Sequence, residues 1–215
     1  MTGLVRKATL TACGMLVAAS AFAGVPSPGN STLPAPAFLT VVGSSLGTAD
    51  PLGTFSITVR DLANNPINGS SVVLDFSAGS DLQLCSDQLD AGATVNCAAK
   101  SVRKFTDASG VVSFTVVGGG TNAGATAGAG LGSVKVYADG VLLGSMTSAI
   151  LNQDGGLSGV GANDISVWIA DFGSGNYYGR SDYDYSTAIG ANDLSLLIGA
   201  FGALGSTEGC STYCP

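Results

Sequence analysis

Histidine is absent from all 215 residues. That removes the side chain most often used as a general base, and it removes a common zinc ligand. Basic residues are scarce as well: eight Lys and Arg stand against fifteen Asp and Glu, for a net charge of −7. A phosphate backbone finds little to bind on such a chain, so nucleic acid is excluded as a partner. No C-x-x-C pair occurs among the five cysteines, which with the missing histidine argues against structural zinc. The chain also lacks a G-x-x-x-x-G-K-[ST] phosphate loop, since Gly118-Gly119-Gly120 has neither the lysine nor a following helix signal. Gly43-Ser44-Ser45-Leu46-Gly47 matches a nucleophile elbow as a string, but without a base or a strand-to-helix context it reads as a loop. Asp75, Asp81, Asp87 and Asp90 supply carboxylates of the kind a glycosidase pairs, yet around a hairpin and a cysteine loop they read as solvated turn residues. The chain is therefore read as non-enzymatic.

Long apolar runs are missing too, apart from the first. Arg6 and Lys7 precede a mostly apolar stretch from Ala8 to Ala19, and Ala21-Phe22-Ala23 forms an A-x-A cleavage site, so residues 1–23 read as a secretory signal peptide. Leu10-Thr11-Ala12-Cys13 offers a lipobox as the rival reading, but its cysteine stands close to Lys7 and the apolar run continues past it. Beyond residue 23 nothing approaches the roughly 18 apolar residues of a spanning helix, which leads to the expectation of an extracellular or cell-surface protein with no membrane span. Export leaves Cys85, Cys97, Cys210 and Cys214, an even number suited to two disulfides. Sequence separation favours the local pairs Cys85 with Cys97 and Cys210 with Cys214, although three connectivities remain open.

What is present divides the chain. Residues 24–36 are a Pro-, Ser- and Gly-rich linker. From there to 149, short β-branched and aromatic runs alternate with turn dipeptides. The strands expected are Phe38 to Val42, Thr54 to Arg60, Ser71 to Phe76, Ser101 to Phe105, Val111 to Val117, Ser133 to Tyr137 and Val141 to Thr147, a number and length that suit a β-sandwich. Residues 82–99 read as a stapled excursion and 118–132 as a mobile loop. Two motifs carry a resemblance: Asp61-Leu62-Ala63-Asn64-Asn65-Pro66-Ile67-Asn68-Gly69 and Thr106-Asp107-Ala108-Ser109-Gly110-Val111-Val112-Ser113-Phe114. In this order the segment 37–148 resembles the bacterial Ig-like modules of the invasin and intimin type, which implies a spacer or an adhesive unit.

Residues 150–206 hold a repeat. Gly161-Ala162-Asn163-Asp164-Ile165-Ser166 returns as Gly190-Ala191-Asn192-Asp193-Leu194-Ser195. Each copy continues in an i, i+3, i+4, i+7 apolar stripe, Ile165, Trp168, Ile169 and Phe172 in one and Leu194, Leu197, Ile198 and Phe201 in the other. The stripes predict two short helices packed stripe to stripe. Oxygen-bearing side chains precede each helix. Calcium takes its oxygens from alternate positions of a 12-residue loop that ends in a carboxylate as a helix begins. Counting Asp182 as one puts Asp184 at three, Ser186 at five, the Ala188 carbonyl at seven and Asp193 at twelve; Thr187 stands where the usual glycine would be. The first copy, with Asn152, Asp154, Ser158 and Asp164, is one residue longer. Aspartate before a helix is also an ordinary cap, and it is the duplication of loop and stripe together that favours calcium. Asp171 falls outside the cage. Tyr177, Tyr178, Tyr183 and Tyr185 cluster between the helices, where they either cover a small core or stack on a sugar.

With both loops and both stripes counted, residues 151–201 resemble the type I dockerin repeats of secreted bacterial proteins. The resemblance implies a small all-α, EF-hand-related calcium module and a cohesin-like protein partner. The Ser-Thr pair usual for cohesin recognition is replaced here by Ala162-Asn163 and Ala191-Asn192. The sequence reading is a mainly β protein, an Ig-like sandwich followed by a calcium-binding loop-helix pair and a cysteine-bearing tail at 207–215. Attachment or assembly at the cell surface is the function expected, with polysaccharide binding as the alternative.

Overall fold

The computed structural model describes residues 24–45, 47–121, 128–157, 159–202 and 210–214. The expected signal peptide and Ser158 lie outside them. The chain is mainly β. Its strands are β1 (Phe38–Val41), β2 (Ser44–Ser45), β3 (Thr48–Ala49), β4 (Thr54–Thr58), β5 (Ser71–Asp75), β6 (Leu82–Leu84), β7 (Thr94–Asn96), β8 (Ser101–Phe105), β9 (Val111–Thr115), β10 (Gly118–Gly120), β11 (Val134–Ala138) and β12 (Val141–Ile150), followed by α1 (Ala162–Gly173) and α2 (Ala191–Gly202).

Six strands form one sheet in the order β1-β12-β11-β5-β8-β7, antiparallel throughout except for the parallel pair β1 and β12. β4 and β9 pair antiparallel in a second layer. Alternation decides which faces meet: Ile57, Val112 and Phe114 from the second layer join Val72, Leu74, Val102, Val134 and Val136 from the sheet in one core. This is a sandwich-like arrangement. Between β11 and β12 both central turn residues take positive φ, 46° at Asp139 and 84° at Gly140, the type I′ geometry whose twist suits a hairpin. In the two Asp motifs, the Asp61 and Asp107 carboxylates each accept backbone N–H bonds from two and four residues on, at 2.8 to 2.9 Å. Those bonds fold the turns and hold both exposed carboxyls below the usual range, with the Asn65 N–H the largest cause for Asp61 and the Ser109 hydroxyl for Asp107.

Three expectations are corrected. The stretch read as a linker lies along the second layer, where Ser27 N–H donates to Arg60 O and Thr32 N–H to Thr58 O, both at 2.8 Å. Gly118–Gly120, expected in a mobile loop, is the buried strand β10 against β6. The disulfides are not local: Cys85 joins Cys210 and Cys97 joins Cys214, across 125 and 117 residues of sequence. The reason is that the tail returns as an extra antiparallel segment, with Cys85 bridged to Tyr213 and with Ser86 N–H on Thr212 O at 3.0 Å and Cys214 N–H on Leu84 O at 2.8 Å. Each sandwich cysteine therefore meets a tail cysteine.

The expected stripe-to-stripe contact of the helices is met by the inner half of each stripe only, Ile165 and Trp168 with Leu194 and Leu197, and the sandwich shares it. Trp168, Leu197 and Ala200 join Val42, Ala149, Leu151, Val160 and Tyr183 in a second core, so the helices close the end of the sandwich beside β1 and β12. Ile169, Phe172, Ile198 and Phe201, the outer half of both stripes, stay 46 to 56 % exposed. Tyr185 reinforces the junction by stacking on Phe38, ring centroids 5.2 Å apart, and by a 2.7 Å hydrogen bond to Thr40.

Candidate metal centre

The helices start where a carboxylate satisfies their free N–H groups. Asp193 Oδ2 accepts from Gly190 N–H at 2.8 Å, and Asp164 Oδ2 from Gly161 N–H at 2.6 Å, the backward half of a capping box in each repeat. The other oxygen reaches the start of the preceding loop. Asp193 Oδ1 accepts from Tyr183 N–H at 2.7 Å and Asp184 N–H at 3.0 Å. Asp164 Oδ1 does the same with Gln153 N–H and, at 2.9 Å, Asp154 N–H. The matching bonds align Asn152 with Asp182, Gln153 with Tyr183 and Asp154 with Asp184, and place the extra residue of the first copy inside its loop.

In the second loop, Asp182, Asp184 and Asp193 each bring a carboxylate oxygen into a group whose members lie within 4.8 Å of one another. Asp182 is buried and Asp184 half-buried. Ser186 N–H donates to both Asp182 Oδ1 and Asp184 Oδ1 at 3.0 Å, and Ser186 Oγ donates to the Ala188 carbonyl at 3.1 Å. The five residues expected at this cage thus share one small loop. Burial pushes the Asp182 carboxyl up in spite of bonds from Tyr177 and Thr187. Asp184, near the surface, is held below its usual range chiefly by the Ser186 side chain. A carboxylate disfavoured by burial beside two others is a group that a divalent cation would neutralise.

The first loop brings Asp154 and Asp164 together with Asn152. Asp164 is fully buried, and burial raises its carboxyl against the three N–H bonds it receives. Asp154 Oδ1 accepts from Gly156 N–H at 2.7 Å and Oδ2 from Asn163 at 3.2 Å. Asn152 is also fully buried, and its amide nitrogen donates to the Gly156 carbonyl at 2.8 Å. Its Oδ1 has no hydrogen-bond partner among the described residues.

Neither a family model nor a curated protein matches this chain. Among solved structures, the Yersinia pseudotuberculosis adhesin InvE is similar at 26 % identity, over 58 % of this chain and 26 % of that one, with a TM-score of 0.26. This chain thus spans about a quarter of the length of that adhesin. At that TM-score the likeness settles neither fold nor function.

Several residues around the loops gave no sequence signal of their role. Tyr177 Oη donates to Asp182 Oδ2 at 2.6 Å, and burial, that bond and the three nearby carboxylates all raise its phenol. Tyr213 comes from the tail to donate to the Gly156 carbonyl at 3.0 Å and to accept from Asn152 at 3.2 Å. Its phenol is pushed up to about 12 by burial and by Asp154 and Asp164. Gly119 is glycine because a Cβ there would collide with the Tyr213 hydroxyl. Tyr178 and Tyr183 are buried, and Tyr177 and Tyr185 half-buried, so the tyrosine cluster forms core and present no stacking platform. Asp171, outside the cage by spacing, is no bystander: it is buried and takes Arg180 in two bonds of 2.8 and 2.9 Å and the Ser181 hydroxyl at 2.6 Å.

Thr187, in the place of the usual glycine, has φ of 65°. A β-branched residue there is strained by about 1 to 2 kcal/mol, part of which glycine returns through its freer unfolded chain. Thr187→Gly is expected to raise stability by about 0.5 to 1 kcal/mol, read as a higher urea midpoint. A lower midpoint would show that the threonine side chain contributes more than its backbone strain takes away.

Proposed function

We propose that this is an exported, non-enzymatic calcium-binding protein of the cell surface or extracellular space, in which an Ig-like sandwich carries a dockerin-like pair of loop-helix units for attachment or assembly. The observation that carries the reading is the convergence of Asp182, Asp184 and Asp193 within 4.8 Å, in a loop that supplies only oxygen. Hard oxygen ligands in a turn leading into a helix suit calcium better than a transition metal. The closing aspartate of each loop also caps a helix, so cation binding is coupled to helix order. A protein partner is favoured over polysaccharide because the tyrosines that would stack on a sugar are turned into the core. The apolar half-stripes of both helices instead remain outside. For the partner, the cohesin-like class is the first to test, by capture from the secreted proteins of the source cells with and without calcium.

Calcium at a hundredfold excess over its dissociation constant adds about 2.7 kcal/mol of stability per site. Asp193→Ala removes the carboxylate that closes the second loop and is expected to abolish most of that increment. The check is a urea midpoint measured with calcium and with chelator for parent and variant. An equal calcium response in the two proteins, or none in the parent, rules out the second loop as a calcium site.

A further inference from the structure

We propose that the two loops are coupled through Gln153 and Tyr183, so that a cation bound in one loop raises the affinity of the other; this rests on the calcium reading above. These residues occupy the same place in their loops, directly after Asn152 and Asp182. Each donates its backbone N–H to the aspartate that closes its own loop, Gln153 to Asp164 and Tyr183 to Asp193 at 2.7 Å. Their side chains meet: Gln153 Nε2 donates to Tyr183 Oη at 2.6 Å, and both residues are 1 % exposed. An unbroken chain of hydrogen bonds therefore runs from Asp164 through Gln153 and Tyr183 to Asp193.

The direction of each bond is fixed. Tyr183 Oη gives its own proton to the Ile150 carbonyl at 3.1 Å, which leaves its lone pairs for Gln153. Gln153 is braced further by Ser181 Oγ at 3.0 Å and the Arg180 carbonyl at 3.3 Å, so the contact cannot drift without disturbing the residues just ahead of the second loop. The first loop also shows where a cation would act. Asn152 Oδ1 is a buried acceptor with no donor among the described residues, and Asn152 holds the place that Asp182 holds in the converging trio.

Coupling follows from what a cation supplies, which is order. Fixing either loop fixes the backbone of Gln153 or Tyr183, and with it one half of the side-chain bridge. The other loop then has less freedom to lose when it binds. One buried neutral hydrogen bond sets the expected size at about fivefold in affinity.

The test is a calorimetric double-variant cycle with calcium on the full mature chain. Asp164→Asn disables the first loop while its Oδ1 still accepts from Gln153 and Asp154, at the loss of the Gly161 bond, and the dissociation constant of the second loop is read. Asp164→Asn is expected to weaken the second loop about fivefold when Tyr183 is present, and to leave it unchanged in a Tyr183→Phe background. Gln153→Met, which keeps the backbone donor and the volume, is expected to behave like Tyr183→Phe and serves if that variant does not fold. Two binding events with no effect of Asp164→Asn on the second loop, or the same weakening in all backgrounds, overturn the coupling alone. No calcium heat in the parent overturns the calcium reading and the coupling with it.

Discussion

Losing both disulfides, in a Cys210→Ser/Cys214→Ser variant, is expected to lower the unfolding free energy by about 8 kcal/mol on the chain-entropy estimate. The first bridge, Cys85 to Cys210, closes a loop of 125 residues and contributes about 5 kcal/mol. Once it exists, Cys97 and Cys214 are joined through two short spans, 85 to 97 and 210 to 214, so the second closure contributes about 3 kcal/mol. A domain of ordinary stability has about 5 to 15 kcal/mol in all. The variant should therefore be unfolded or nearly so at 25 °C, read from the urea midpoint or from the far-UV signal in buffer. Peptide mapping without reductant should return Cys85 with Cys210 and Cys97 with Cys214. A variant as stable as the parent would mean that the tail does not hold the sandwich.

The second large effect concerns a charge. Asp171→Ala leaves the Arg180 guanidinium, 5 % exposed, without its carboxylate. Burial works against that cation, and at present the two bonds and the charge of Asp171 more than offset it, so its pKa is raised. Removing one member of a buried pair costs about 3 to 5 kcal/mol. The loss should extend to the repeat region as a whole, because Ser181 shares Asp171 and accepts a bond from Gln153. Replacing both partners, Asp171→Leu with Arg180→Met, should recover most of the stability. A drop of under 1 kcal/mol in the single variant would place Arg180 in water and refute the buried pair.

How far the sequence could be read depends on the range of the cause. Alternation is a local signal, and the seven long strands were visible in it, from the Phe38 run to the Val141 run. The start of each helix was visible in Asp164 and Asp193, since a capping carboxylate acts within three residues. The same spacing put Asp182, Asp184 and Asp193 in one loop. The pairing of Cys85 with Cys210 was not visible, because it depends on where the tail returns, and nothing near either cysteine encodes that. Short strands such as Gly118–Gly120 also escape: three glycines have no pattern, and their burial comes from Gln83 and Val41 on Gly118, the tail's Tyr213 on Gly119 and Gln153 on Gly120. Asp171 and Arg180 lie nine residues apart on different elements, so their bond is a product of the fold. The outer stripe residues misled for the complementary reason, since periodicity names an apolar face without saying how much of it a neighbour will cover.

The bridge between Cys97 and Cys214 also sets how the protein bears a load. A pull applied at residue 214 passes through sulfur into the turn after β7 and so into the six-stranded sheet. The helices and both loops lie on a covalent detour between those cysteines and carry no tension while the bridge is intact. Whatever the two helices hold, their grip is mechanically insulated from strain along the main chain.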